Sequence, residues 1–536
     1  MHMGIRTNQN GAATRLRTPV IVALLFVGGI AGVGVMLAAT RHGSSLTSDS
    51  LIYINASRNL IAGRGISRLS GLHSIKPIAH YPPLLPLLLA GLQSVGLESL
   101  DAARALNALA FGMNVLLVGA ILCAVTRRTW PTLLGMFFML ASPIMIDLHS
   151  WAMSEPLYLL WGLAAVLLLH AYGTTHRRFF LIVSATAAGC AYLTRYVGLS
   201  LVVTLLLALL ADGGRNVGRR VADALTFLAI SLTPMAVWMV RNLLTSGSAT
   251  NYSFVWHPFS MLLLKRPFGL LWEWLFPFRF TYPALLIMVG VLFAAILLLL
   301  VLTRRGRWRP SRDWIKAISW TDARASLSLY VLCYSGSVAL SILFLSATTP
   351  VDQRIAAPVY VALLVLLIAA VSTHWLFERR VFSHASIVAL AVLLGASYVQ
   401  RSVDLVRELW TESRGYASPI WRETGNLGVV RGLPADLLIY TNSFPALEFF
   451  YGRGSYMVPL PGDPVTQLAV PDYEERLAAM RRDIQEGRAV LILFFREPDG
   501  TELPRELAEG LEVRHRENGV SIWVGEEFDR LPDPGS

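Results

Sequence analysis

The sequence predicts a polytopic α-helical membrane protein with a C-terminal soluble α/β domain, and three observations predict it. Hydrophobic residues make up 54% of the chain, charged residues only 15%, and the mean hydropathy is +0.53, far from the balance of a soluble protein. Apolar runs long enough to cross a bilayer recur between residues 19 and 398, separated by short basic clusters. From residue 400 the runs stop, and 23 acidic residues face 15 basic ones, a reversal expected of a separate solvated unit.

Spans are runs of roughly 17 to 25 mostly apolar residues. The first, at 19–40, follows a tail, 1–18, that carries Arg6, Arg15 and Arg17 and reads as cytoplasmic. Its apolar core exceeds the roughly 7 to 15 residues of a signal peptide, which favours a retained anchor. The small residues at 36–40 leave cleavage as the alternative, and cleavage would remove one helix. Further spans follow at 101–125, 129–146, 153–172, 178–193, 196–211, 221–240, 282–302, 326–345, 355–373 and 382–398, about eleven in all. As one helix, 178–211 would measure about 50 Å at 1.5 Å per residue, against a core of about 30 Å. It is therefore expected to fold as a tight hairpin turned at Thr194-Arg195-Tyr196.

Arg127-Arg128, Arg177-Arg178, Arg215 with Arg219-Arg220, the basic cluster at 304–316 and Arg379-Arg380 fall in alternate connections. The positive-inside rule makes those connections cytoplasmic. Asp49, the 147–155 connection, Arg195, Arg241, the loop at 242–281 and residues 352–354 then share the outer side, as does the C-terminal domain at 400–536. Few ionisable residues lie within the spans, so the midplane charges of a transporter's ion path are missing.

In the C-terminal part, strands are expected at 436–441, 456–460 and 489–496, helices at 445–451 and 472–486, and a hairpin over 511–524 turned at Asn518-Gly519. This alternation argues an α/β layer. No glycine-rich phosphate loop accompanies it. Cys123, Cys190 and Cys333 lie in apolar stretches without short spacing, so neither a disulfide framework nor a thiolate metal site is indicated. The net charge of +11 is dispersed between spans and speaks for topology, not a nucleic-acid partner.

The outer loop at 41–100 carries the densest polar signals. Thr47 or Ser48 can cap a helix reaching about Leu60, with Asp49 in its first turn and Tyr53 and Ser57 on the same face. Gly63-Arg64-Gly65 ends that helix, and Tyr81-Pro82-Pro83 opens a short juxtamembrane one.

These pieces, in their order and membrane placement, carry a resemblance. Asp49 with Tyr53 and Arg58-Asn59-Leu60 precede Gly63-Arg64-Gly65, followed by His80-Tyr81-Pro82-Pro83-Leu84-Leu85-Pro86, Ser154-Glu155-Pro156-Leu157, Leu193-Thr194-Arg195-Tyr196, Arg241-Asn242 and Asp352-Gln353-Arg354. Residues 19–373 thereby resemble the integral-membrane glycosyltransferases of the GT-C superfamily that use polyprenyl-phosphate sugars. They are similar to bacterial relatives of protein O-mannosyltransferases and aminoarabinose transferases. Where many of those relatives carry a second acid after the first, this chain has Ser50.

The resemblance implies a multi-pass inner-membrane glycosyltransferase of bacteria, with a transmembrane module at 19–399. Its partners would be a polyprenyl-phosphate sugar, membrane lipid, and a glycan, lipid or protein acceptor. The donor already has a good leaving group, so the enzyme needs a base for the acceptor hydroxyl and cations for the departing phosphate. Asp49 then serves as base in an inverting displacement, with Glu155 as the second catalytic acid. Arg354, Arg241, Arg195 and Lys76 are the candidate phosphate-binding cations. Tyr53, His80, Tyr81, Asp147 and His149 are candidate acceptor or sugar contacts. No nucleotide or redox cofactor is implied, and a divalent cation, with Asp147 and His149 as candidate ligands, is left open.

Each residue has a plainer reading. Asp49 can be a capping acid and Glu155 a helix N-terminal one. Arg195, Arg241 and Arg354 can anchor to headgroups. Asp147 and His149 can be ordinary loop polars. Two other functions compete with transfer: a flippase for lipid-linked saccharide, and an assembly protein that binds a partner through its outer domain.

Overall fold

The computed structural model describes residues 10–258, 262–275, 319–346, 351–377, 381–424, 428–463, 466, 468–494, 505–517, 519–526 and 528. Helix α1 (Asn10–Ala39) leads to α2 (Ser48–Ile61), the strands β1 (Ser67–Ser70) and β2 (Ser74–Pro77), and α3 (Leu84–Ser94). The bundle continues with α4 (Ser99–Thr126), α5 (Thr129–Leu140), α6 (Pro143–Ser150), α7 (Glu155–Thr175), α8 (Arg178–Thr194), α9 (Leu199–Ala211) and α10 (Val217–Ser246). After α11 (Leu262–Leu275) come α12 (Ala323–Phe344), α13 (Gln353–Phe377) and α14 (Val381–Thr411).

Among the described residues, seven helices are long and apolar enough to cross a membrane, and the chain is a multi-pass membrane protein. The span expected at 282–302, the basic cluster at 304–316 and Arg379-Arg380 lie outside the described residues. The span expected at 129–146 is two helices, α5 and α6, bent by 54°. Ser142 causes the break: its extended backbone caps α6, its hydroxyl accepts from the Met145 N–H at 3.3 Å, and Pro143 follows at N1. The break expected within 178–211 is present, α8 ending at Thr194 and α9 starting at Leu199. Both helices are shorter than a span.

Within the bundle α1 packs on α4 through facing glycines. A Cβ at Gly112 would collide with the Gly29 carbonyl, the close approach that small residues allow in membranes.

The C-terminal layer follows two short helices, α15 (Pro419–Thr424) and α16 (Gly428–Arg431). It comprises β3 (Leu438–Thr441), α17 (Phe444–Tyr451), β4 (Tyr456–Met457), α18 (Tyr473–Gln485), β5 (Ala489–Phe494), β6 (Glu512–Glu517) and β7 (Val520–Val524). The sheet order is β4-β3-β5-β7-β6, with β3 parallel to β4 and β5, and β7 antiparallel to β5 and β6. Strand β5 is buried along its whole length, as its unbroken Ala-Val-Leu-Ile-Leu-Phe run requires.

The core is divided unexpectedly. Leu51 and Ile54 of α2 and Leu85 and Leu89 of α3 pack with Trp421, Ile439, Leu447 and Ile492 of the C-terminal layer, not with the main bundle core. Between α1 and α2 the chain threads two neighbours. Ser45 exchanges backbone bonds with Ser150 and Ala152, and Leu46 with Arg414 and Tyr416. Gly415 is obligatory there: its φ is +66°, and a Cβ would overlap the Leu46 carbonyl.

Candidate functional site

Thr47 fixes the start of α2. Its hydroxyl accepts the Ser50 N–H at 3.2 Å, and the Ser50 hydroxyl accepts the Thr47 N–H at 3.0 Å, a reciprocal capping box. Ser50 is fully buried and also donates to the Met153 sulfur at 3.3 Å. Its place in the chain, noted in the sequence as a departure, is thus filled by a capping and packing role. The cap presents Asp49, about a third exposed, at the edge of the bundle.

Three other elements bring charges to it. Glu155 opens α7 and is nearly inaccessible; its Oε1 lies 2.5 Å from Arg195 at the α8 turn and 3.1 Å from Nε of Arg354 in the first turn of α13. Arg354 also reaches Asp49 Oδ2 at 3.7 Å. Asp49, Arg354, Glu155 and Arg195 therefore form a continuous row in which acids and arginines alternate. Ser154 joins it, accepting from Arg195 at 3.1 Å and from the Tyr53 hydroxyl at 3.4 Å.

An aromatic group closes the other side. The Tyr81 hydroxyl donates to Asp49 Oδ1 at 2.5 Å, and its ring meets Tyr53 edge-on at 5.0 Å and His80 at 4.9 Å. Burial, with the Asp49 carboxylate adding to it, holds the Tyr81 phenol well above its ordinary range, so it remains a donor. Burial raises Tyr53 as well. It lowers the His80 imidazole despite the opposing pull of Asp49. His80 lies against Tyr252, ring centroids 4.6 Å apart and Oη to Nε2 3.3 Å.

Beside the row opens a cleft of about 450 Å³, lined among others by Thr47, Asp147, Trp151, Met153, Asp352 and Arg354. Asp147, in α6 and not in a connection, faces this cleft while paired with Arg414 at 2.9 Å. His149 does not reach it. Fully buried, it meets the Met145 carbonyl at 2.7 Å through Nδ1 and the Asn114 amide at 3.0 Å through Nε2. A proton on Nδ1 satisfies both contacts. Arg241 is also elsewhere: it remains inside α10 and donates to the Ile66 and Ile78 carbonyls at 3.1 Å, tying the β1–β2 hairpin to the bundle. Lys76 is exposed on β2, opposite Arg68. Among the described residues no three His, Cys, Asp or Glu side chains are grouped as a metal site would need.

Sequence reasoning quoted Ser154 without giving it a role, and missed Tyr252 and the β1–β2 hairpin. The Ser-Glu-Pro start of α7 could have flagged Ser154. Nothing local marks Tyr252, whose role depends on contact with a loop 172 residues away.

No protein-family model and no curated protein sequence matches the chain. Solved structures do. The oligosaccharyltransferase of Archaeoglobus fulgidus in its apo form superposes with a TM-score of 0.53 at 12% identity, over 89% of this chain and 70% of that one. The same enzyme, AglB, in complex with an inhibitory peptide and a dolichol-phosphate gives 0.52 at 11% identity, over 89% and 69%. ArnT from Cupriavidus metallidurans bound to undecaprenyl phosphate gives 0.49 at 17% identity, over 94% and 97%. The chain has the GT-C fold, a helical membrane bundle with a C-terminal domain.

Proposed function

We propose that this protein is an inverting membrane glycosyltransferase that moves a sugar from a polyprenyl phosphate to an acceptor hydroxyl at the outer face of a bacterial inner membrane. The observation that carries the reading is the alternating row Asp49, Arg354, Glu155, Arg195 at the edge of an open cleft, in a fold shared with an enzyme solved with a dolichol-phosphate.

In the reaction a bond forms between the acceptor oxygen and the sugar's anomeric carbon. The bond from that carbon to the phosphate oxygen breaks, and the polyprenyl phosphate leaves with the electron pair. Asp49 takes the acceptor's proton. Tyr81 occupies Oδ1, so Oδ2, which Arg354 faces at 3.7 Å, is the basic oxygen once Arg354 turns away. Arg354, about a third exposed, can turn toward the leaving phosphate, while Glu155 holds it and Arg195 in register. Arg241, engaged with the hairpin, and Lys76, exposed on it, are not among the residues that line the cleft, and the reading gives the phosphate to Arg354.

The test is transfer by purified Asp49→Asn, reconstituted beside wild type with an extract of native lipid-linked sugars. Loss of a base is expected to cost on the order of 10²-fold or more. Wild-type transfer by the folded variant would refute the reading.

A further inference from the structure

We propose that Glu448, in the C-terminal layer, is a positioning residue for Asp49: by gripping Asn59 it fixes the orientation of α2 and so the place of the carboxylate. The inference rests on the reading of Asp49 as base.

Helix α2 has 14 residues, a length at which an isolated helix is marginal, so its pose is set by what it packs against. At its start it touches the bundle through Thr47, Ser50 and Tyr53, which contact Met153 and Ser154. Along the rest of its length it is shared: Ala56 lies in the bundle core and Arg58 donates to Ser99 of α4 at 2.9 and 3.1 Å, while further polar contacts reach the C-terminal layer. Asn55, Arg58 and Asn59, three and four residues apart, present one polar face to α17. Asn55 donates to the Pro445 carbonyl at 3.1 Å, Arg58 to the Phe449 carbonyl at 3.2 Å, and Asn59 to Glu448 Oε1 at 2.7 Å. The Arg58 guanidinium also lies over the Phe449 ring at 4.6 Å.

Asn59 is held on every side. Its second amide hydrogen goes to the Ser67 carbonyl at 3.0 Å, and its Oδ1 accepts from Arg64 at 3.2 Å. An apolar contact of the same size would hold the two helices together at less cost than a buried acid. Burial raises the Glu448 carboxyl against the opposing pull of Asn59, the Leu69 N–H, Arg68 and Arg64. What the directional bond adds is a fixed angle. Asp49 lies ten residues from Asn59, about 15 Å along the axis at 1.5 Å per residue. A tilt of about 4° at the grip then shifts the carboxylate by about 1 Å, a displacement on the order of 10²-fold in rate.

The test compares wild type, Glu448→Ala, Glu448→Gln and Asp49→Asn by amide hydrogen exchange and by transfer kinetics on extracted native lipid-linked sugars. Glu448→Ala should lower kcat at least tenfold with donor KM within threefold. It should speed exchange in α2 at least tenfold while α7 is unchanged, and Glu448→Gln, which keeps an acceptor for Asn59, should restore both. Where Glu448→Ala fails to accumulate, Glu448→Met, which keeps the packing volume but offers Asn59 no carboxylate acceptor, is expected to give the same kcat and exchange pattern. Wild-type kcat and α2 exchange in these variants would overturn the inference, as would a uniform rise in exchange across the protein. Inactive Asp49→Asn beside fully active Glu448→Ala rejects the inference alone. Active Asp49→Asn rejects the functional reading and the inference with it.

Discussion

Replacing Glu155 with glutamine removes one charge and no volume, and the structure says what that charge does. The carboxylate is 2% exposed and lies between Arg195 at 2.5 Å and Arg354 at 3.1 Å. At an effective dielectric near 20, a pair about 4 Å apart gains about 4 kcal/mol before desolvation. Breaking a buried pair by neutralising one partner costs about 3 to 5 kcal/mol, because the other charge is stranded. Arg354 is not stranded, since it keeps Asp49 and solvent on its exposed third. Arg195, 19% exposed with Ser154 as its remaining neighbour in the row, carries the loss. The expected destabilisation is therefore at the lower end, about 3 kcal/mol. Transfer should fall further than stability explains, because Arg354, released by Glu155, closes on Asp49 and opposes its action as a base. The assay is the thermal midpoint in detergent together with kcat of the folded fraction. A second variant sharpens it: Glu155→Gln with Arg195→Met removes both buried charges and should recover most of the midpoint without recovering transfer. A single variant with the wild-type midpoint would refute the reasoning, and a double variant with restored transfer would refute the assigned roles.

Tyr81→Phe deletes a bond to a charged oxygen, worth about 1.5 to 3 kcal/mol, and should lower kcat about tenfold to a hundredfold; an unchanged kcat would remove Tyr81 from the site. His80 supplies a pH dependence. Its folded pKa lies below its ordinary value of 6.5, so the native state holds fewer protons; the stabilisation is complete above that value and is lost as pH falls through the folded one. Chemical denaturation of wild type between pH 7 and 5 should therefore show a loss of stability that His80→Gln reduces, and parallel curves would contradict it. Gly415→Ala forces a side chain into a left-handed backbone against the Leu46 carbonyl. It should lower stability by about 2 kcal/mol or more, read as a fall in the thermal midpoint.

What was legible in the sequence was whatever has a local cause. Hydropathy located the long helices, the helical length limit required the turn at Arg195, and Thr47 announced the start of α2. The unbroken apolar run of β5 likewise gave away a buried strand. The break at Ser142-Pro143 carries an ordinary capping signature but was hidden by the apolar run on both sides. The β1–β2 hairpin, with four residues in each strand, is too short for alternation to register. The fates of Arg241 and His149 were not readable at all. Both are polar residues of plausible type, and only packing decides that one ties down a hairpin while the other satisfies two groups inside the bundle. Asp49 and Arg354, 305 residues apart, illustrate the converse: each was singled out by type and position, but their contact is a property of the fold.

The division of the core changes which experiments can discriminate between an enzyme and a membrane-anchored assembly protein. If the C-terminal layer were an independent cap, its deletion would leave Asp49 in place, and loss of function on truncation would favour a binding role for the layer. Leu51 and Ile54 of α2, however, are buried against Trp421, Ile439 and Leu447, and burying such side chains stabilises by roughly 1.5 to 3 kcal/mol each. Removing the layer exposes that face and leaves a short helix without one of its supports. Truncation therefore impairs function whichever reading holds. Point substitutions that leave the shared core intact do discriminate: an assembly protein tolerates Asp49→Asn and Tyr81→Phe, whereas a transferase built on this row of charges tolerates neither.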